Sequence, residues 1–410
     1  MRQVGHQTKV SVMRRLLHPS HPGACRLWLA LIVVLHHFSR FEFGIAPVLV
    51  FFALSGFWIH RVWKARYSKT RLPWLTFVVS RWWRLAPVML VACFLTFVVM
   101  FATGSDKLPV ALSQPIRQVL SSVFFVGYAG MPVRPVGPAW SLDIEMQFYL
   151  VAPMLVIIVQ RISWILTLLF GYMAFAFSLA FIPGVVFSSF LIFFVIGMAA
   201  AEHDWRPSDR AAITGMRLAI ILTIAALLSP WRQDLLGANG NDWQAFNIVL
   251  AALLLPIALN SGERIGDRTD AALGDHSYFI YLIHWPAILI FRNYDWGGAW
   301  GNVAAATGLF MITAMVSYAA WRWIDAPINR KRAMWVASRR ISDLAVVAVP
   351  SPEVRTSLPE GDGQRNSKDG YEVASTRSFT EPAPQALSKQ MHRHLPDWLA
   401  GSATTLRSVF

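Results

Sequence analysis

Long apolar blocks, separated by short polar and basic segments, set the pattern of this chain. Blocks of about 20 apolar residues are typical of membrane-spanning helices, and about ten blocks approach that length. They are 26–40, 44–60, 86–103, 142–160, 163–182, 184–201, 211–229, 245–260, 276–293 and 303–324. The pattern therefore predicts an all-α protein, a polytopic transmembrane helical bundle of about ten spans.

Two connecting segments have a pattern of their own. The stretch Trp74–Leu85 is amphipathic and aromatic, so we expect it to lie along the membrane interface before a third span that starts near Pro87. The segment 104–139 is rich in Pro and Gly. We expect it to form a long outer loop that could act as a lid.

Basic residues distinguish the two ends of the bundle. Lys and Arg concentrate in alternate connecting segments, and cytoplasmic loops of membrane proteins are enriched in these residues. This asymmetry predicts that both termini are cytoplasmic. We divide the chain into a basic cytoplasmic leader (1–24), a transmembrane domain (25–330) and a basic tail (331–410). The tail has little to bury, so we expect it to be largely disordered.

Composition agrees with a membrane protein. Hydrophobic residues make up 55% of the chain and charged residues 15%, far from the values of an ordinary soluble domain. The net charge of +14 is spread over loops and termini, so it does not indicate nucleic-acid binding. Two cysteines give no disulfide framework. We expect a multi-pass membrane protein.

Two ionisable residues bracket the first apolar block, in the pattern Arg26-x10-His37. This spacing is close to three helical turns, which places both side chains on one face, about 16 Å apart. Within a bilayer such residues usually mark a functional site. His36 is turned about 100° away from that face. The structural alternatives are that Arg26 reaches the lipid headgroups and that His37 is a packed histidine of the bundle.

Carboxylates occur at a similar predicted depth to His37. Asp143 and Glu145 stand near the outer end of the fourth block. A carboxylate can orient a neighbouring histidine for general-base catalysis. The alternative is that both carboxylates only interact favourably with the dipole at a helix N-terminus.

A group of arginines is predicted on the cytoplasmic side, where their number suits a ligand that bears phosphates. They are Arg26, Arg61, Arg81 and Arg84. His284 precedes Trp285-Pro286 near mid-membrane, where it could belong to a site or to a helix kink. Ser55-Gly56 favours close helix packing over catalysis. No zinc-protease, P-loop or Gly-x-Ser-x-Gly motif occurs, so we predict no metal site.

Several motifs, in their order and spacing, resemble those of the acyltransferase family 3, a group of polytopic membrane O-acyltransferases. They are Arg26-x10-His37, Phe51-Phe-Ala-Leu-Ser55-Gly-Phe57, Arg81-x-x-Arg84-Leu-Ala-Pro87, Trp140-Ser-Leu-x-x-Glu145-x-Gln-Phe-Tyr149 and Ser277-Tyr-x-x-Tyr281-x-x-His284-Trp-Pro286. The resemblance covers about residues 25–330 and implies a multi-pass protein of a bacterial inner membrane. One departure is Pro47-Val48-Leu49, which stands where many members have Gly-Val-Asp.

The resemblance implies acyl-CoA, commonly acetyl-CoA, as a cytoplasmic co-substrate, with no bound cofactor. The acceptor would be a hydroxyl of a surface glycan, a lipid-linked sugar or a secreted glycoside. His37 would act as general base or carry the acyl group, and Glu145 would orient it. The remaining expected site residues are Arg26, Arg81 and Arg84 for the CoA phosphates, and Ser141, Tyr149 and His284 for the acceptor.

One alternative function fits the spans and charges equally well. A transporter or flippase of a lipid-linked sugar could use Arg26 and His37 as a substrate or proton relay. Transporters often carry inverted repeats, and the sequence shows no convincing internal repeat. The sequence leaves open whether the acyl group moves directly or through an acyl-enzyme, and whether His36 or His37 acts.

Overall fold

A computed structural model describes residues 19–39, 41–182, 185–237, 242–264 and 266–341. Within these ranges the chain is helical, with connecting turns and one isolated β-bridge. The helices are α1 (Pro22–Phe38), α2 (Ile45–Ala65), α3 (Pro73–Ala102), α4 (Lys107–Leu112), α5 (Pro115–Phe124), α6 (Trp140–Arg161), α7 (Trp164–Phe181), α8 (Leu191–Glu202), α9 (Asp209–Leu228), α10 (Arg232–Leu236), α11 (Trp243–Gly262), α12 (Arg268–Asn293), α13 (Gly298–Ala320) and α14 (Ala326–Ser338). The all-α prediction is confirmed for this part of the chain.

Helix length and composition support fewer spans than the sequence pattern. Six described helices are long and apolar enough to cross a membrane, namely α2, α3, α6, α9, α11 and α13. Helices α1, α7 and α8 are apolar but shorter. Every predicted block overlaps one helix, yet the count of ten spans and the orientation of the termini stay predictions. Of the predicted tail, residues 331–341 are described and include the end of α14, and the rest lies outside the described residues.

The third helix differs from its prediction. A single helix, α3, continues from Pro73 to Ala102 and contains Pro87, so the prediction that the helix of the third span starts near Pro87, after an interfacial segment, is wrong. A proline at the first helical position is tolerated, because that amide has no partner within the helix. The interior Pro87 removes one helical hydrogen bond without ending the helix. The basic and aromatic start of α3 therefore belongs to the bundle.

The segment after α3 is organised as two short helices. In α5, Gln118, Ser121 and Ser122 are buried, and the Trp82 indole of α3 donates to the Val123 carbonyl at 2.8 Å. The opposite face of α4 and α5 exposes Val110, Leu112, Ile116, Val119, Leu120 and Phe124. Polar side chains of α5 therefore point into the protein, while apolar side chains of both helices point outward.

Two helix pairs with extensive contact organise the core, α2 with α8 and α1 with α12. Helix α2 also packs against α1, α6 and α11. At the α2–α8 crossing, Gly56 lies so near the Phe194 carbonyl that an added Cβ would come within 2.0 Å of its oxygen. Gly197 of α8 faces the Ala53 carbonyl in the same way, at 1.8 Å. Small residues are typical where membrane helices approach closely.

Candidate active site

A cavity of about 310 Å³ lies among α1, α2, α3, α6 and α12. Its polar lining is Arg26, Ser55, Arg81, Arg84, Ser141, Glu145, Tyr149, Ser277, Tyr278 and Tyr281. Its apolar lining includes Val48, Phe51, Phe52, Leu54, Leu85 and Leu142. The fold therefore gathers residues from all the sequence motifs around one space. Two predicted site residues, His37 and His284, are not part of this lining.

Three guanidinium groups reach the cavity from two helices. Arg26 of α1 donates through Nε to the Pro22 carbonyl at 3.1 Å. Arg84 of α3 approaches the carboxylate of Asp275 at 3.6 Å. Arg81 lies 6.0 Å from the Tyr149 ring centroid, and its Nε has no hydrogen-bond partner among the described residues. Three cations facing one cavity can bind an anion that carries several charges.

Arg61, the fourth predicted member of this group, has other partners. It forms ion pairs with Glu263 and with Asp204, the latter at 3.1 Å. Lys64, on the next turn, pairs with Glu202 at 2.9 Å. These contacts tie the end of α2 to its neighbours, so the structure removes Arg61 from the predicted anion site.

Asp270 holds the start of α1. Its two carboxylate oxygens accept hydrogen bonds from the backbone amides of Gly23 and Ala24, at 2.9 and 3.0 Å, and the residue is 1% exposed. The first amides of a helix have no partner within it, so Asp270 of α12 caps α1 from outside. Arg26 lies one turn beyond this cap. Sequence reasoning missed Asp270, since no spacing within α1 points to a residue of α12.

We expect Asp270→Ala to destabilise the protein by about 1–3 kcal/mol, because two buried amides lose their acceptor. The measurement is thermal unfolding of the purified protein in detergent. Asp270→Asn is the matched control, since its single amide oxygen can keep one of the two bonds. We expect its stability to fall between those of the wild type and the alanine variant. Equal stability of all three proteins would contradict the capping role.

Glu145 has two hydroxyl partners in the cavity. Ser55 Oγ donates to Glu145 Oε1 at 2.9 Å, and the Tyr149 hydroxyl donates to the same oxygen at 2.5 Å. No hydrogen bond or ion pair joins Glu145 to His37 in the described part of the chain, so the structure does not form the predicted pair. The reason is depth, since Glu145 lies about 8 Å along α6 from its start at Trp140.

His37 lies against α12, near the beginning of α6. Its ring stacks on His284 with centroids 5.2 Å apart and meets the Trp285 ring edge-on at 5.3 Å. The Trp285 ring in turn packs on Gly137, just before α6. His284 Nδ1 contacts the Ile280 carbonyl at 3.0 Å, so it carries the proton and leaves Nε2 as an acceptor. That Nε2 is buried without a partner among the described residues.

The two neighbouring histidines of α1 have different surroundings. His36 Nδ1 contacts the Phe41 carbonyl at 2.7 Å, and its Nε2 lies 3.5 Å from the Glu42 carboxylate. His36 is 8% exposed and its ring packs against Gly44. These contacts hold the turn after α1. Of the pair, His37 is therefore the histidine whose ring nitrogens remain without a polar partner within the described ranges.

A pair of hydroxyls lies between the level of Glu145 and that of His37. Ser141 Oγ and the Tyr281 hydroxyl are 2.8 Å apart, and both lie within 3.1 Å of the Pro138 carbonyl. Ser141 stands one turn before Glu145 on α6, and Tyr281 one turn before His284 on α12. These two hydroxyls therefore lie on the helices that also carry Glu145 and His284.

Further polar residues fix the loops next to α6. Asp143 accepts from the Ala129 amide at 2.9 Å and from Gln147 at 2.8 Å, while Gln147 accepts from the Phe187 amide. In the loop before α6, Tyr128 exchanges hydrogen bonds with Val136, and burial raises the pKa of its phenol. Asp143 therefore has a clear structural role.

No group of three potential metal ligands converges among the described residues.

Comparisons with known proteins assign the family. Residues 23–322 match the acyltransferase domain of family 3. The chain is 23% identical to the O-acetyltransferase OatA of Staphylococcus aureus, and the match covers 75% of this chain and 56% of that protein. It is 22% identical to the peptidoglycan O-acetyltransferase OatA of Listeria monocytogenes, over 76% of this chain and 56% of the relative.

The chain is also 26% identical to BcsY of Komagataeibacter xylinus, which is named as a membrane-bound transacylase. The match covers 70% of this chain and 78% of that protein. The chain spans about half the length of the OatA relatives. No solved structure matches it. The family match covers most of the chain, including every residue of the cavity. The chain therefore belongs to the acyltransferase 3 family.

Proposed function

We propose that the protein transfers an acyl group, in the first instance acetyl, from cytoplasmic acyl-CoA to a hydroxyl of a surface or secreted carbohydrate. The observation that carries the proposal is the cavity in which three arginines face Glu145 and several hydroxyls. The relatives named as O-acetyltransferases support acetyl as the group and a glycan as the acceptor. With the family fixed, no observation favours the transporter alternative.

The donor site follows from the charges of the cavity. CoA carries several phosphates, and guanidinium groups bind phosphate oxygens in a bidentate manner. Arg26, Arg81 and Arg84 would hold these phosphates at the end of α1 that is predicted to be cytoplasmic. The pantetheine arm would then extend along α1 and bring the thioester towards Glu145 and Ser55.

The acceptor site would lie at the other end of α1. His37 accepts the proton of the acceptor hydroxyl, as a neutral imidazole with a free ring nitrogen can do. His284 stacks on it and keeps its ring in place. Ser141, Tyr149 and Tyr281 supply hydroxyls between the two sites. In this arrangement the bundle takes the donor from the inner side and the carbohydrate from the outer side of the inner membrane.

Two measurements test the proposal. Purified protein in lipid vesicles should release CoA from acetyl-CoA when a carbohydrate acceptor is present. Surface polysaccharide from cells that carry the gene should contain ester-linked acetyl groups that cells without the gene lack. If vesicles release no CoA and the two polysaccharides have the same mass, the proposal is wrong.

We expect Arg26→Ala to raise the apparent KM for acetyl-CoA roughly 10- to 100-fold, because a charge-assisted bond to a phosphate is lost. The change in kcat should be small, since the phosphates are remote from the reacting carbonyl. Initial rates at varied acetyl-CoA provide the measurement. Arg117→Ala is the matched control, because Arg117 is exposed on α5 and contacts Gln114. An unchanged KM in Arg26→Ala would remove it from the donor site.

A further inference from the structure

Ser55 has a specific position within α2. The next residue, Gly56, faces α8 and packs against its backbone, which turns Ser55 towards the cavity. Its Oγ donates to Glu145 Oε1 at 2.9 Å across the interface between α2 and α6. Tyr149, one turn after Glu145, donates to the same carboxylate oxygen. The cavity thus contains a hydroxyl, a carboxylate that accepts its hydrogen bond, and a third group that donates to the same carboxylate.

We propose that Ser55 is a nucleophile that carries the acyl group between donor and acceptor, with Glu145 as its base and Tyr149 as the residue that positions Glu145. A nucleophile within hydrogen-bond distance of a base, with the base held by a third group, is the arrangement expected of covalent catalysis. This inference rests on the proposed function. It predicts that the acyl group passes through an acyl-enzyme intermediate and does not move directly from acyl-CoA to the acceptor.

Apart from Tyr149, whose phenol donates to the same carboxylate, the other described hydroxyls of the cavity lack such a base. Ser141 Oγ donates to the Pro138 carbonyl or to Tyr281. Ser277 Oγ donates to the Gly274 carbonyl of its own helix at 2.7 Å, and Tyr278 donates to the Leu85 carbonyl. A backbone carbonyl cannot take up a proton at neutral pH, whereas a carboxylate can. Among the described residues that line the cavity, Ser55 is therefore the aliphatic hydroxyl with a base.

The first step transfers the acyl group to the protein. Ser55 Oγ attacks the thioester carbonyl, and its proton moves to Glu145 Oε1. The carbon–sulfur bond breaks, and CoA leaves as a thiolate that takes a proton from water. A thiolate is a stable leaving group, so the proton can remain on Glu145. The product is an ester between the acyl group and Ser55.

The second step transfers the acyl group to the acceptor. The acceptor hydroxyl attacks the ester carbonyl and gives its proton, through a water molecule, to His37, which lies outside the cavity lining and releases the proton to bulk water. The bond between the carbonyl carbon and Ser55 Oγ breaks, and Glu145 returns its proton to that oxygen. Both side chains end as they began. A covalent intermediate lets CoA depart before the carbohydrate arrives, so a cavity of about 310 Å³ never has to contain both substrates.

The test is trapping of the acyl-enzyme. Full-length protein in vesicles is incubated briefly with radiolabelled acetyl-CoA without a carbohydrate acceptor, quenched in acid and digested with trypsin. The fragment 41–61 contains Ser55 as its sole Ser, Thr or Tyr, so mass spectrometry can assign the label there. We expect the label in this fragment, and we expect Ser55→Ala to reduce it roughly a thousand-fold or more. Glu145→Gln should slow its appearance.

Two further variants make the result specific. Ser317→Ala removes another buried membrane hydroxyl, from α13, and should retain the label. Ser55→Cys keeps a nucleophile, so it should still be labelled, but as a thioester. Neutral hydroxylamine cleaves a thioester and leaves an oxygen ester intact, so the two proteins should differ in this treatment. If the alanine variant does not fold, the cysteine variant still tests whether the side chain at position 55 carries the acyl group.

The outcomes separate this inference from the proposed function. If the wild type consumes acetyl-CoA and acetylates an acceptor, but the label is absent from fragment 41–61 or persists in Ser55→Ala, the acyl-Ser55 intermediate is wrong and the function stands. If the wild type neither consumes acetyl-CoA nor acetylates any acceptor, the proposed function fails, and this inference fails with it.

Discussion

His37→Ala is expected to lower kcat about 10²- to 10⁴-fold, the usual contribution of a positioned general base. The KM for acetyl-CoA should change little, because His37 does not line the cavity that contains the arginines. Acylation of the protein in the absence of acceptor should continue, since His37 acts on the acceptor hydroxyl. The measurements are steady-state acetyl transfer in vesicles and a single turnover without acceptor.

Two other histidines serve as comparisons for this variant. His203 is exposed at the end of α8, so we expect His203→Ala to have kcat near that of the wild type. His36→Ala should lower the stability of the protein, because the His36 ring holds the turn at Phe41 and Glu42. The fraction that folds should keep a kcat near that of the wild type. Wild-type kcat in folded His37→Ala would rule out His37 as the base. An equal loss of kcat in folded His36→Ala would assign the role of base to His36 and would contradict the arrangement proposed for His37.

Gly56→Leu is expected to destabilise the bundle by about 1–3 kcal/mol or more, the range for overpacked cores. The new side chain would begin 2.0 Å from the carbonyl oxygen of Phe194, and a helix backbone cannot give way as a flexible side chain does. Helices α2 and α8 would have to separate, and Ser55 and its contact with Glu145 would move with α2. Transfer activity should therefore fall together with stability.

Thermal unfolding in detergent and initial rates of transfer measure both effects of Gly56→Leu. Gly308→Leu is the matched control, because a Cβ at Gly308 of α13 meets nothing within 4 Å. We expect this control to keep the unfolding midpoint and the activity of the wild type. If both leucine variants unfold at the same temperature, the close approach of α2 and α8 is not needed for stability.

Several site residues could be predicted from the sequence because they share motifs on single helices. Arg26, Arg81, Arg84, Ser141, Glu145 and Tyr149 all line one cavity. Helical spacing shows which side chains share a face and roughly how deep they lie. The family resemblance then indicated that these faces meet. These features are local or belong to a known set of motifs, so no structure was required to group them.

Contacts between helices could not be predicted in the same way. The pairing of His37 with Glu145 assumed equal depth from their positions near helix ends, but an offset of about 8 Å along α6 was enough to separate them. Asp270 was missed and Ser55 was assigned to helix packing, because each contacts a residue of another helix. Arg61 was assigned to the anion site because hydrophobicity patterns do not reveal acidic partners such as Glu263 and Asp204.

The segment over α4 and α5 shows a related limit. Its Pro and Gly content predicted an outer loop, but the described residues form two helices that expose several apolar side chains, and α5 buries Gln118, Ser121 and Ser122. Exposed faces of this kind are stable where lipid rather than water surrounds them. Composition alone cannot distinguish a loop in water from a helix at the membrane interface, because both contain turn residues at their ends.

The outward apolar face of α4 and α5 has a practical consequence. Detergent or lipid must cover this face. A micelle that surrounds the spanning helices alone would leave it exposed to water and prone to aggregation. In intact membranes, water-soluble proteases and thiol reagents should reach an engineered site at Leu120 far more slowly than one at Asp295. An antibody raised against a peptide from α5 would accordingly recognise the denatured chain better than the native one.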